Sequence, residues 1–557
     1  MGKLRFPLFI AGTEVLGDLN PQLLRELQGR LKLRNVLLAV CCSLLGQGFF
    51  LFWQYQQLDL IRGLCENAAD PKGRNCVQLG THYLLVNWQQ WWLAVFAWGS
   101  FLLLLVLVVG GSFLLISDLS KEERRGTLTF VSLSPQSAWT ILVGKLLGVP
   151  ILIFLSVMVA LPLRYISGLS AQIPFLKILS FDVLVLGCGL FFYSVALLIG
   201  LVGYWLNGFQ AWLGSAIICA LLFLFNNLYI SHSSVDWIYG FSPVTLLPYL
   251  AQTSDPALPY RGSLPSLLNW QFFGLPLGSN GLFVLMFVLA NYGLWTGWLW
   301  QPLQRRFRNP QIPLLSKKQS YWATACVVTC WLGFSLGPKG STEELISFLL
   351  ILHMLWFVLL MVLLLPHHQA LQDWARFRGT YRSARGRVQR TKDLIWADDS
   401  PAWVAIALNL GIANFPIVAW AFWHLKEEQM LLLMGLLFNS TLILVLALFN
   451  QVVLLRPISN RNLWATATLT VPVVLPLVLM TLLGADTTNT GAIWFLLTPF
   501  AFMAVEAIPL AQILTALGLQ LVAIAGLTMQ LNRQLRQSGE STTERLLGGE
   551  IPVALGE

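Results

Sequence analysis

The residues whose types and spacing could do something specific lie mostly in one stretch, Ser117–Lys145, which reads SDLSKEERRGTLTFVSLSPQSAWTILVGK. Glu122, Glu123, Arg124 and Arg125 stand directly before Gly126, and Thr127, Leu128, Leu133 and Pro135 follow. A charged run that turns into a small apolar patch has the chemistry of recognition rather than of bond-breaking. Ser120 and Glu123 have the spacing of a capping box, which predicts that a short helix starts there. Arg124 and Arg125 are placed to hold lipid headgroups, and Gly126 permits a sharp change of direction. Leu128, Phe130, Val131 and Leu133 then form an apolar patch too short to cross a membrane. Two readings stay open on these residues alone: a solvated loop that joins two spans, or a lever on which a partner protein pushes.

A few other positions invite attention. Asp182, His353 and Glu506 fall inside or beside apolar runs, where an ionisable group is a functional candidate by default. Asp182 lies near the outer end of its run, where solvation accounts for it. His353 is expected to be hydrogen-bonded within a helix bundle, and Glu506 is placed to line an outer vestibule on a transport pathway. Cys65 and Cys76 bracket the polar loop LCENAADPKGRNC, and in an oxidising compartment they form either a disulfide or two free thiols. The other six cysteines sit in apolar runs, as packing residues do. No C-x-x-C pair, metal-binding His/Glu spacing or nucleophile elbow occurs. No G-x-x-x-x-G-K-[ST] occurs either, since Gly144-Lys145 is followed by Leu146. The chain is therefore expected to be no enzyme by itself and to bind no metal or cofactor.

What positions these residues is a set of long apolar helices. The chain has 557 residues, 56% of them hydrophobic and 11% charged, and a mean hydropathy of +0.68. A soluble domain carries about 25% charged residues. Apolar runs fall near 36–55, 90–117, 135–162, 177–204, 209–229 and 279–300, then near 320–337, 345–366, 401–423, 428–449, 463–484 and 505–530. Only helices satisfy the backbone of such segments in lipid. The predicted fold is an all-α polytopic membrane protein with about twelve transmembrane helices, arranged as two six-helix halves with re-entrant outer hairpins. Residues 1–35 form a cytoplasmic N-terminus with an interfacial amphipathic helix, and 36–300 the first half. Residues 301–319 are a cytoplasmic linker, 320–530 the second half and 531–557 a cytoplasmic tail.

Charge sets the orientation. The net charge of +9 reads as basic residues gathered at cytoplasmic span ends, not as a nucleic-acid surface. Arg305-Arg306-Phe307-Arg308, Lys317-Lys318 and the basic stretch Arg376–Lys392 then lie inside, with both termini. Asn20-Pro21-Gln22 opens a short helix with Leu23, Leu24, Leu27 and Leu31 on one face and Arg25, Arg30, Lys32 and Arg34 on the other. The Pro-interrupted pieces Gly240–Thr245 and Leu497–Phe500 precede the last span of each half and read as re-entrant hairpins. Ser134-Pro135 and Ser400-Pro401 each look like a serine N-cap followed by a proline at the first helical position.

Glu123-Arg124-Arg125-Gly126-Thr127-Leu128, then Leu133-Ser134-Pro135, then Gly144-Lys145-Leu146-Leu147, resembles the intracellular loop of type-2 ATP-binding-cassette (ABC) exporter permeases. The spacing between glutamate and glycine is one residue tighter or looser depending on whether Glu122 or Glu123 is matched to the family's glutamate. In the family this loop lies between the second and third spans and forms or borders the coupling helix against the nucleotide-binding subunit. The order of elements over residues 20–310 is similar too. The second half matches in outline: Arg378-Gly379-Thr380 is kept, but no glutamate–arginine pair is in place, and seven basic residues lie between Arg376 and Lys392. That loop is either a degenerate coupling surface or a site for anionic headgroups. The resemblance implies a permease subunit, an exporter, in a bacterial cytoplasmic (inner) membrane, with ATP and Mg bound by a soluble ABC ATPase partner. Membrane lipids surround it, and one chain makes both halves of the pore or pairs with a further permease subunit. An ion-coupled secondary transporter and a non-transporting accessory subunit are the competing readings.

Overall fold

In the computed structural model, the described residues are 17–66, 76–79, 83–203, 208–223, 233–247, 267, 270–335, 342–380, 387–425, 428–456, parts of 464–478, 496–503 and 508–539. They are almost entirely helical. Nine helices among them are long and apolar enough to cross a membrane, and the protein is an all-α polytopic membrane protein. The expected run at 463–484 lies mostly outside the described residues. The helix Phe209–Phe223 is apolar but shorter than a span.

The chain divides into two compact units. The first comprises residues 1–231, 236–270 and 275–308, the second 232–235, 271–274 and 309–557. In the first unit α1 (Pro21–Arg30) is followed by α2 (Leu33–Glu66). The Asn20 side chain caps α1 by accepting from the Leu23 amide at 3.0 Å, with Pro21 at the first position. A hairpin of β1 (Cys76–Leu79) and β2 (Tyr83–Val86) pairs Cys76 with Val86. The side chains of Cys65 and Cys76 lie outside the described residues. The next long helix is composite: α3 (Trp88–Leu104), a π-helical segment Leu105–Gly110, and α4 (Gly111–Arg124).

A short α5 (Thr127–Ser132) leads into α6 (Ala138–Gly148), α7 (Ile151–Ser170) and α8 (Phe175–Val202). Where one span near 135–162 was expected, two helices meet at Val149-Pro150, because a proline ring blocks the preceding turn's hydrogen bond. After α9 (Phe209–Phe223), α10 (Val235–Tyr239) and a 3-10 turn at Pro243–Thr245 make a short buried corner instead of a crossing. Then α11 (Gly281–Arg308) ends the unit with Arg305, Arg306 and Arg308 in its last turn.

The second unit contains α12 (Lys317–Phe334), α13 (Thr342–Leu363), α14 (His368–Thr380), α15 (Arg387–Trp396), α16 (Ala402–His424), α17 (Gln429–Leu454) and α18 (Leu510–Gly539). A full capping box at Ser316 and Gln319 starts α12. Helix α18 continues unbroken past residue 530. Its Leu531 and Leu535 pack with Leu371 and Ala375 of α14 and with Leu448 and Val452 of α17. Amides and hydroxyls join the helices inside this unit. Asn409 accepts from Thr324 at 2.7 Å and donates to Ser320 at 2.9 Å, and Asn439 donates to the Leu350 carbonyl at 2.9 Å. Such bonds hold helices together where lipid supplies no hydrophobic drive.

Two expected caps are not where the serine-proline pairs placed them. The N-cap of α6 is Ser137, which accepts from the Thr140 amide at 3.0 Å, and Ser134-Pro135 belong to the preceding turn. Ser400 makes no cap for α16. It bonds Lys317 and the Ala397 carbonyl instead. A proline fixes its own φ but does not dictate which turn the helix starts on, so a polar residue three positions on can take over.

Candidate functional site

The sequence places Asp118 and Glu122 four residues apart, and in an α-helix that spacing stacks both carboxylates on one face. The helix does continue through them. The expected capping box at Ser120 and Glu123 starts nothing, because α4 runs unbroken to Arg124. The chain turns at Gly126, which has φ of +68°, a left-handed conformation that costs glycine nothing. Its neighbours Glu122, Glu123, Arg124 and Arg125 thus close α4, and Thr127 and Leu128 open α5. The Thr127 hydroxyl donates to the Glu122 carbonyl at 3.1 Å across the corner.

Into the carboxylate face comes Lys145 from α6. Its ammonium lies 2.8 Å from Glu122, 2.9 Å from Asp118 and 3.7 Å from Glu26 of α1, and its side chain is fully buried. Arg30 of α1 closes the group, 3.1 Å from Glu26 and 2.6 Å from Asp118. Oxygens of Glu26, Asp118 and Glu122 lie within 4.8 Å of one another, a spacing that could hold a metal ion. The Lys145 ammonium fills that position, so the cation is the chain's own. Three ionised carboxylates this close repel one another, and a positive charge among them offsets that repulsion.

Two glycines bring α1 near enough for this. A Cβ at Gly144 would stand 2.9 Å from the Leu23 amide, and one at Gly148 would stand 2.5 Å from the Glu26 Cβ. The Gly144-x-x-x-Gly148 spacing therefore makes a groove in α6 in which α1 lies, as small residues do between membrane helices. The Asn20 amide ties the same contact by donating to the Thr140 carbonyl at 2.9 Å. The face of α1 that is most buried carries Gln22 and Glu26, and the four leucines are only half-buried. The interfacial helix was expected to bury its leucines and leave Arg30 on the polar side. The ion-paired groove reverses that for Arg30.

Above this joint, α5 is bare. Phe130 and Leu133 are each 80% exposed, and no residue of α5 is buried. Pro135 is exposed and Leu128 half-buried. Arg124 folds back, its Nε donating to the Ser120 carbonyl at 3.3 Å and its guanidinium lying beside Gly208 at the start of α9. The Arg306 charge at the end of α11 acts on Glu123. Of the motif's charged residues Glu122 is thus spent on the internal ion pair while Arg124 and Arg125 stay exposed, and Phe130 and Leu133 are presented outward.

The other candidates separate from this site. Asp182, expected to be merely solvated, is ion-paired with Arg164 of α7 and accepts from the Tyr165 hydroxyl at 2.5 Å. Arg164 is buried, donates to Ser100 at 2.8 Å and lies over the rings of Phe96 and Phe181 at 5.2 and 5.1 Å. His353 is bonded within the second unit, 3.0 Å from Asn414. Glu506 lies outside the described residues. Sequence reasoning missed Glu26, Arg30, Asp118 and Arg164. The i,i+4 pairs Glu26–Arg30 and Asp118–Glu122 were the readable signal for three of them.

The corresponding stretch of the second unit is built differently. The Leu371 and Ala375 face of α14 is covered by α18. The side chains of Arg378 and Thr380 lie outside the described residues. After α15 the chain is fastened by Lys317, whose buried ammonium donates to the Leu394 carbonyl at 2.9 Å, to Ser400 and to the Pro401 carbonyl at 3.2 Å. Asp398 accepts from the Lys317 amide at 3.1 Å. Burial pushes the Lys317 ammonium down to about 8, against the pull of Asp398 and Asp399. Comparison of the chain with protein-family models, with curated proteins and with solved structures finds no match in any of the three.

Proposed function

We propose that this chain is the transmembrane permease subunit of an ABC exporter of the type-2 class, driven by a separate soluble ATPase. The observation that carries the reading is the contrast within residues 117–145. Asp118 and Glu122 are locked inward around Lys145, while Phe130 on α5 and Leu133 directly after it are 80% exposed. A short apolar helix on a rigid charged joint is a firm knob, able to receive a push from a protein and pass it to α4, α6 and α1. A connecting loop would need neither the buried lysine nor the glycine groove.

On this reading the joint faces the cytoplasm of a bacterial cell, with Arg305, Arg306 and Arg308 beside it, as the positive-inside bias requires. The transmembrane count is about twelve, in two halves with re-entrant outer corners, of which the buried Pro243–Thr245 turn is one. ATP and Mg reside on the partner. Closure of the ATPase dimer moves the knob and switches the permease between inward- and outward-facing states. The exposed α5 and the covered α14 make the halves unequal, so the first half is the principal coupling surface.

The double variant Glu123→Ala with Arg124→Ala tests the coupling. It should insert and accumulate like the wild type yet fail to stimulate the partner's ATP hydrolysis. Stimulation at the wild-type level would sink the mechanism. Substrate flux that collapses with an uncoupler and persists without ATP would establish the ion-coupled alternative instead.

A further inference from the structure

The composite helix Trp88–Arg124 is fixed at two places and broken at one. Five residues before the π segment, Ser100 accepts from Arg164, whose guanidinium also pairs with Asp182 and lies over Phe96. This joins α3 to α7 and α8. Near its Arg124 end, Asp118 and Glu122 hold Lys145, which joins α4 to α6. Between the two anchors, Leu105–Gly110 is π-helical. A π turn carries an extra residue, is rare, and inside an α-helix often marks a functional bend.

Tyr193 of α8 is fitted to this segment. Its buried hydroxyl donates to the Leu107 carbonyl at 2.6 Å, and that carbonyl also accepts from the Gly111 amide. A Cβ at Gly111 would overlap the Tyr193 hydroxyl. Gly111 is therefore a notch and Tyr193 the wedge seated in it. A buried phenol needs an acceptor, and the exit of the π segment, where Gly111 bonds back four residues to Leu107, supplies it. Tyr193 thus engages the point where the π segment gives way to α4.

We infer that Leu105–Gly111 is the hinge of this helix and that Tyr193 is the catch that sets its angle, a positioning residue for the lever formed by α4 and α5. The use of the hinge rests on the permease reading above, whereas its existence does not. A helix held on both sides of a π segment can change direction at that segment while both attachments stay intact. A π turn can pass its extra residue to a neighbouring turn, which re-aims the helix beyond without unwinding it.

The test uses the full chain in lipid nanodiscs, with its native cysteines replaced and nitroxide labels at Trp98→Cys and Lys121→Cys. Pulsed electron–electron resonance should give the parent one narrow distance, roughly 33–35 Å from the helical rise. Tyr193→Phe keeps the ring and removes the hydroxyl. It should add a second population displaced by about 1.5 Å or more, one residue of rise. Gly111→Ala, which expels the wedge by a different route, should produce the same second population. A Tyr165→Phe control should leave the distribution unchanged. Parent-like distributions in both Tyr193→Phe and Gly111→Ala would overturn the hinge. That result is separable from failure of the permease reading, which appears as absence of a bound ATPase whatever the distances do.

Discussion

The ammonium of Lys145 lies 2.8 Å from the Glu122 carboxylate and 2.9 Å from that of Asp118, with no exposure to solvent. One lysine thereby joins the end of α4 to α6 and, through Glu26 at 3.7 Å, to α1. Breaking a buried ion pair from one side strands the other charges, at about 3–5 kcal/mol. Lys145→Met should therefore lower the yield and thermal stability of the folded protein sharply. Combining it with Glu122→Gln and Asp118→Asn should recover much of the loss, since apolar and neutral replacements remove the stranded charge. Thermal unfolding of the purified variants checks this. A triple variant no more stable than Lys145→Met would argue against the ion-paired joint.

The groove makes a separate prediction. A Cβ at Gly148 would stand 2.5 Å from the Glu26 Cβ, so Gly148→Val should push α1 off α6. Overpacking of this kind costs about 1–3 kcal/mol. Protease cleavage near Arg25 should speed up in the variant, and Gly189→Ala, where nothing lies within 4 Å of the added Cβ, should leave it unchanged.

In the second unit pH is the probe. Lys317 titrates near 8 when folded, against 10.5 as its ordinary value. Between those two values the unfolded chain holds the proton and the folded chain releases it, so stability rises with pH. Wild-type unfolding temperature, measured relative to Lys317→Met, should increase from pH 7.5 to pH 9.5. A flat difference would mean that the ammonium is not desolvated by the α15–α16 corner.

Arg164 gives the fourth. Asp182→Asn leaves its buried guanidinium with Ser100 and two aromatic rings but no counter-charge. The variant should be destabilised more than Tyr165→Phe, which removes only the second donor to the carboxylate. Equal loss in the two would mean that the pair is solvated, as position along the helix alone had implied.

Much of the frame was readable from periodicity, because an apolar run of about twenty residues can be little but a membrane helix. The turn at Gly126 and the cap at Asn20 were also legible, since each depends on one residue's local chemistry. The joint was not. Lys145 was visible as part of a motif, but its partners lie 23, 27 and 119 positions away, and no local rule brings α1 into the Gly144 groove. The Ser120 capping box misled for the opposite reason. Its local preference was genuine, but α4 was already helical there and the signal had nothing to start. The π segment at Leu105–Gly110 had no sequence signature beyond the Gly110-Gly111 pair, and Tyr193, which bonds it, comes from another helix.

The central claim is that the bare face of α5 receives an ABC ATPase. Phe130→Asp with Leu133→Asp changes two side chains that are 80% exposed, so folding and insertion should be unaffected. Wild type and variant should be purified from the native membrane in parallel under identical mild conditions, and their ATP-hydrolysing partners identified by mass spectrometry and quantified. The account predicts a P-loop ABC ATPase in stoichiometric amount with the wild type and at least tenfold less with the variant. Equal recovery with both proteins, or no such ATPase with either, would contradict it.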